Sequence, residues 1–466
     1  MQVKNELNFF VNDSSDNGEV DCNNDKESRS SHSSDHHNHR SSHEHHRSHR
    51  SSNKRLKRKN KKFKENLKSF IRRNKKYLIY LAITLVLVVS LVMFGVYLDE
   101  VLSYSNDFEK ETSENVANSN FSELQISVPF YDKDVVIVGP AVKELMDSDS
   151  GVDVNRLFNK YKGTSDRLDI GLPVKISYNI DKIPDGYNVK SSEYLVSENV
   201  DFKNPLVFKT TGNINSVDVY HLKTGTQYYY KIILSFNNGN VSSVSGSFKT
   251  ATGPRVLTLD GVYNLRDIGG YTTSDGKAIK QGILYRGCEI DGSIEEHYKI
   301  SSDGLNTMLS NFGIKTDIDL RASTDNKYGT DALGSGVKHI YYSAPMYSNI
   351  FNDDINREKI RAIFADLADA KNYPVYLHCT YGTDRTGTVV YLLEGLLGVD
   401  EETLLKDYKL SGLHHGAVSI EAMNEFVNNV KQLPGDTIEE KIEGYLLSIG
   451  ITVDEIANIR AIFLNN

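Results

Sequence analysis

Cysteine is scarce in this chain of 466 residues: Cys22, Cys288 and Cys379 are all it holds, and no two of them form a CxxC pair. Three thiols so widely spaced make no disulfide framework, and without CxxC spacing a structural zinc site lacks its usual ligands. Basic charge is missing from most of the chain as well. Residues 1–76 hold 19 Lys/Arg against 10 Asp/Glu, whereas residues 77–466 hold 35 against 52. A body with a net charge of −17 argues against nucleic acid as a partner of the folded part. Tryptophan is absent, and the Asn/Lys/Ile-rich composition is of the kind found in low-GC bacteria.

Charge is also absent from one long stretch. Tyr77 to Leu98 reads "YLIYLAITLVLVVSLVMFGVYL", 22 uncharged residues, enough to cross a hydrocarbon core of about 30 Å as one helix. Residues 54–76 before it carry 13 Lys/Arg and one Glu, and an acidic stretch follows it. The positive-inside rule therefore predicts a single-pass cell-membrane protein with a cytoplasmic N-terminus and residues 99–466 outside. A cleaved signal peptide fits poorly, because the run is too long and 76 residues precede it. Eight histidines between His32 and His49 lie in a polar tail; loose metal binding and a disordered tail without a fixed role are both open. The expected order is a His-rich and basic tail (1–76), a transmembrane helix (77–98) and a linker (99–125).

From 126 to 252 the texture is β-rich. Residues 217–252 alternate apolar and polar positions, with an Asn-Gly-Asn hairpin signal at 238–240. "LKTGTQYYY" (222–230) resembles the turn of fibronectin type III modules. That resemblance implies a β-sandwich with Tyr228 in the corner-tyrosine position. It could serve as a spacer, a recognition module or a packing partner.

Residues 253–466 alternate strand-like and helix-like stretches. Strands are expected at 313–321, 337–345 and in "YPVYLHC", and helices at 356–370 and 384–398. The order predicts an α/β domain, giving a multidomain fold of transmembrane helix, β-sandwich and α/β unit. Between the last strand and helix lies "HCTYGTDRTG" (378–387). The backbone amides of Thr380, Tyr381, Gly382 and Thr383 can curl around an anion, with the helix dipole adding to the attraction. The same field stabilises a thiolate, which makes Cys379 a ready nucleophile. The planar fork of Arg385 suits two oxygens of a phosphate. Gly382 permits the tight turn. Thr386 can donate to the departing thiolate at the helix start it shares with Gly387, and His378 can orient the loop.

This stretch resembles the Cys-x5-Arg signature of the protein tyrosine phosphatase superfamily. More narrowly it is similar to the His-Cys-x-x-Gly-x-Asp-Arg-Thr-Gly form of a bacterial family of tyrosine and phosphoinositide phosphatases. "NLRDIGGY" (264–271), "ILYRG" (283–287) and "IDLRA" (318–322) follow in the family's order. The resemblance implies a metal-independent phosphatase that works through a phosphocysteine and needs no cofactor. Its substrate would be a phosphorylated protein or a small phosphomonoester, with phosphotyrosine ahead of phosphoserine or phosphothreonine. Thr383 stands where the family often has Lys, which weakens the case for phosphoinositides or inositol phosphates as the alternative substrate. A non-catalytic phosphate-binding or adhesion protein is the third reading.

For the general acid, Asp384 is the first candidate, as the resemblance implies. Asp319 comes second, against a structural role bonding a loop, and Asp353 or Asp354 in a lid third. Arg266 could wall the pocket or form an ion pair between segments. Cys288 could be a redox partner for Cys379 or a small buried residue.

Overall fold

The structure, a computed structural model, describes residues 123–465 apart from 213, 326–331 and 417. The apolar run 77–98, the basic block and the His-rich tail lie outside the described residues. Among the described residues no helix is long and apolar enough to cross a membrane.

The first part is built from eight strands: β1 (Gln125–Ser127), β2 (Val174–Ser177), β3 (Asn179–Lys182), β4 (Val189–Ser197), β5 (Leu206–Thr211), β6 (Ser216–Val219), β7 (Gln227–Phe236) and β8 (Val241–Lys249). An antiparallel sheet in the order β5-β4-β7-β8 shares one core with the β2–β6 pair. Along β7 the alternate residues Tyr228, Tyr230, Ile232, Leu234 and Phe236 are buried, as period-2 patterning requires. β7 and β8 are joined through the Asn-Gly-Asn turn, where Gly239 takes φ +87°. The Tyr228 hydroxyl accepts from the Lys223 backbone N–H at 2.9 Å, a corner-tyrosine contact.

Two helices interrupt this strand-rich part where none was expected. α1 (Pro140–Asp147) begins with proline, which fits the first turn, and α2 (Val154–Tyr161) is capped by the Asp153 carboxylate. Ala141, Val142, Leu145, Val154 and Leu157 share a core with Val256, Leu410 and Leu413 of the second part. The chain around 252 is therefore a continuous packed region, with Arg255 donating to the His221 and Leu222 carbonyls.

The second part has one six-stranded sheet, ordered β13-β12-β14-β11-β10-β9. Its strands are β9 (Arg255–Val256), β10 (Arg266–Asp267), β11 (Leu284–Gly287), β12 (Thr316–Asp319), β13 (Lys338–Tyr341) and β14 (Val375–His378). The last four are parallel, and β10 and β9 pair antiparallel at one edge. Every residue of β11, β12 and β14 is buried, as in parallel strands covered on both faces. Val375 and Leu377 join the core on one face, while Tyr376 joins the core on the other.

The helices are α3 (Ser302–Asn306), α4 (Asp354–Leu367), α5 (Asp384–Leu396), α6 (Glu401–Leu410), α7 (Gly412–His415), α8 (Ile420–Lys431), α9 (Ile438–Ser448) and α10 (Val453–Phe463). α4 buries Ile360, Ile363, Phe364 and Leu367, the expected face. α5 departs from the expected one-sided pattern: Thr386 to Leu396 are all buried. α6 and α9 pack against it, and Gly395 leaves room for Ile442. Its five core aliphatics, Val389, Val390, Leu392, Leu393 and Leu396, each contribute about 1.5–3 kcal/mol, enough to offset the cost of also burying Glu394.

Candidate active site

Register brings the site together. Gly287, Asp319 and His378 stand side by side at the carboxyl ends of β11, β12 and β14. Such ends, where the chain turns into loops, are where ligands bind in open α/β sheets. Cys379 follows at once, buried to 3% exposure, and opens the turn 379–383 that leads into α5. Arg385 lies in the first turn of that helix.

Gly382 is fixed by geometry. It takes φ +69°, and a Cβ there would sit 2.2 Å from the Gly287 carbonyl oxygen. Only glycine fits so near the end of β11. Arg286, fully buried, donates from Nη2 to the Gly382 carbonyl at 2.7 Å and from Nη1 to Asp407 at 2.8 Å. The Glu289 N–H donates to the Thr380 carbonyl at 2.9 Å. Two loop carbonyls are thus tied outward to β11 and its continuation.

His378 is held from both sides. Nε2 lies 3.2 Å from the Asp317 carboxylate and Nδ1 lies 3.1 Å from the Cys379 carbonyl oxygen. Both neighbours are acceptors, which favours a proton on each ring nitrogen. Burial alone would push its pKa down; Asp317 and Asp319 outweigh that and lift it to about 9. This favours a positively charged ring immediately before Cys379.

Thr386 is fully buried, and its Oγ1 has no hydrogen-bond partner among the described residues. Thr383 is also buried, 3.4 Å from the Tyr381 carbonyl and 3.3 Å from His415 Nε2. Arg385 places Nη1 2.9 Å from the Asp325 carboxylate, which also approaches the Thr380 hydroxyl at 3.5 Å.

Asp384 begins α5, half-buried, and accepts a hydrogen bond from the Tyr347 hydroxyl. Tyr347 in turn contacts the Tyr408 hydroxyl at 2.6 Å, and its backbone N–H donates to Thr388 Oγ1 at 2.8 Å. The other three acid candidates are engaged elsewhere. Both oxygens of Asp319 accept from Arg321. Burial would raise its pKa, but His378 and Arg321 win and hold it below the usual carboxylate range. Asp353 caps α4, and Asp354 pairs with Arg357 at 2.9 Å.

Arg266 does not line the cradle. It is buried, bonded through Nε and Nη2 to Asp407 at 2.8 and 3.1 Å and through Nη1 to the Asn264 side chain. Asn264 passes the contact on, donating from Nδ2 to the Tyr381 carbonyl at 3.0 Å. Arg266 thus makes the ion pair between segments and reaches the back of the loop through Asn264. Cys288 is buried, accepts from the Tyr263 N–H and donates to the Glu289 carbonyl. Burial pushes its thiol pKa far up, which suits a packing residue and not a redox partner.

Sequence reasoning did not single out Asp325, Tyr347, Asp407 or Glu295. Tyr347 comes from the stretch expected to carry a third acid candidate, and it bonds to Asp384 instead. Asp407 lies 22 residues beyond Arg385 in the chain, and nothing in its local pattern marks it as the partner of two arginines. Among the described residues, no group of His, Cys, Asp and Glu is arranged to hold a metal ion.

Residues 257–465 match the tyrosine phosphatase family. A Cupriavidus necator protein, provisionally named a tyrosine-protein phosphatase, is 25% identical over 177 residues, covering 33% of this chain and 61% of that protein. A tyrosine-protein phosphatase of Nostoc commune is 22% identical over 203 residues, covering 34% of this chain and 69% of that protein. The match thus spans a little over three-fifths of the first relative.

Proposed function

We propose that the chain is a membrane-anchored, cysteine-dependent phosphatase that hydrolyses phosphotyrosine through a phosphocysteine. The observation that carries this is the joint placement of Cys379, Asp384 and Arg385 around one strand-to-helix turn at the carboxyl edge of a parallel sheet. In the first step the Cys379 thiolate attacks phosphorus, the P–O bond to the tyrosine breaks, and Asp384 gives its proton to the leaving oxygen. In the second, water attacks phosphorus, Asp384 takes the proton back, and the S–P bond breaks to return the thiolate. The loop amides and Arg385 hold the equatorial oxygens as charge shifts. The unpartnered hydroxyl of Thr386 is suited to donate to the leaving sulfur.

Thr383 bears on substrate. It is neutral, buried and turned towards His415, so no side-chain cation stands at that position for a second phosphate. This favours phosphotyrosine over inositol phosphates. The anchor rests on the sequence of residues 54–98 and its flanking charges, which would place the catalytic part outside the cell membrane.

The test is turnover of p-nitrophenyl phosphate and of phosphotyrosine peptide by the full chain with EDTA present. Turnover of both is expected. Cys379→Ser should abolish it while phosphate still binds. Turnover retained by that variant would sink the mechanism, and a wild type that binds phosphate but turns nothing over would leave the binding-protein reading in its place.

A further inference from the structure

A cavity of about 610 Å³ opens beside the catalytic loop. Its walls hold the rings of Tyr263, Tyr298 and Tyr381 and the carboxylates of Asp166 and Glu295. Two links tie it to the loop. Tyr381 is itself a loop residue, and its hydroxyl donates to Glu295 Oε1 at 3.2 Å. His415, also in the wall, contacts the Thr383 hydroxyl. Asp166 comes from the chain between α2 and β2, so both parts of the molecule build this cavity.

The lining has a definite charge character. No Lys or Arg is among the described residues that form it. His414, another wall residue, adds no positive charge at neutral pH, since burial, ahead of the opposing effect of Asp169, pushes its pKa down to about 4. Beside the imidazoles of His297, which lies 3.8 Å from Glu295, and His415, the wall holds three electron-rich rings and two carboxylates, the combination that attracts an organic cation. The chain already shows such a contact on one of these rings: the Arg167 guanidinium carbon lies 4.2 Å from the centre of the Tyr263 ring.

We infer that this cavity is a substrate subsite for a lysine or arginine side chain flanking the phosphotyrosine of a peptide. It rests on the phosphatase reading, because the phosphoryl group in the 379–385 turn is what brings the flanking residue within reach. The β-rich part then contributes to recognition through Asp166 and is more than a spacer. Such a subsite adds affinity for basic peptides without touching the bond that breaks, so it acts on kcat/KM between peptides and not on small aryl phosphates.

The experiment uses the full chain and two phosphotyrosine peptides, identical except for Lys or Glu at the flanking positions. The wild type should prefer the Lys peptide by about tenfold in kcat/KM, the size of one such contact. That ratio should shrink at high salt and fall towards one in the Asp166→Asn/Glu295→Gln double variant. The ratio is taken within each protein, so a general loss of activity in the variant does not disturb it. A wild-type ratio of one or below overturns the inference, as does a ratio the double variant leaves unchanged. Turnover of p-nitrophenyl phosphate but of neither peptide also overturns it. Failure to turn over any of the three overturns the phosphatase reading itself, and this inference with it.

Discussion

At the scale of single residues, the arrangement separates the two carboxylates that compete for the acid role. Asp319 is bonded through both oxygens to the Arg321 guanidinium, and a carboxylate so held has little tendency to carry a proton. Asp384 has one hydroxyl partner, Tyr347, and sits next to the arginine that would hold phosphate. Replacing Asp384 by Asn should slow phosphotyrosine hydrolysis by about 10²–10⁴. It should matter far less for an aryl phosphate whose leaving group departs without a proton. Steady-state rates on a series of leaving groups check this; an equal loss across the series would remove Asp384 from the role. The candidates differ little in sequence: Asp384 precedes Arg385 directly and Asp319 precedes Arg321 by two positions. What separates them is the partner each finds in space, and those partners come from other elements.

At the scale of elements, β12 and β14 do more than carry the site. Their parallel register puts Asp317 opposite Tyr376 and Asp319 opposite His378, so two carboxylates face one imidazole. The folded state therefore keeps the His378 proton up to about pH 9, whereas an unfolded chain releases it near pH 6.5. A pKa raised on folding stabilises fully below the unfolded value. That contribution declines between about pH 6.5 and 9 and is gone above the folded value. Its size is about 3 kcal/mol. Unfolding midpoints of wild type and His378→Gln should thus lie furthest apart near pH 6 and converge by pH 9.5; a constant gap would refute the charged histidine. The strands and the two long helices around this pair were legible, because each has an apolar run or a clean helical face. α1 and α2 were not. Each spans only 8 residues, too short for a helical period to stand out from strand alternation. The all-round burial of α5 was equally hidden, since its outer cover comes from α6 and α9, later in the chain.

At the scale of the whole described molecule, the β-rich part reaches the 379–385 loop through a short chain of contacts. Asp169, 5% exposed, accepts from the Asn264 N–H at 2.6 Å, and Asn264 donates to the Tyr381 carbonyl at 3.0 Å. Asn264 takes φ +52°, a left-handed conformation that Asn tolerates better than most residues. Asp169 also pairs with Arg167 at 3.3 Å. None of this was legible in the sequence, where Asp169 falls in an unremarkable turn 95 residues before Asn264. Sequence showed two textures on either side of residue 252, and texture carries no information about which surfaces meet. The shared core of α1 and α2 with Leu410 and Leu413 implies that the two parts unfold together. Asp169→Ala would remove the carboxylate from Arg167 and leave the buried Asn264 N–H without its acceptor, a loss of about 3 kcal/mol. The variant should unfold at a lower temperature in one transition and turn over p-nitrophenyl phosphate more slowly, because Asn264 no longer fixes Tyr381. Calorimetry alongside turnover decides it. If the unfolding temperature falls while kcat stays at the wild-type value, Asp169 is a packing residue alone. If two separate transitions appear, the parts are independent and the loop is supported from within the six-stranded sheet.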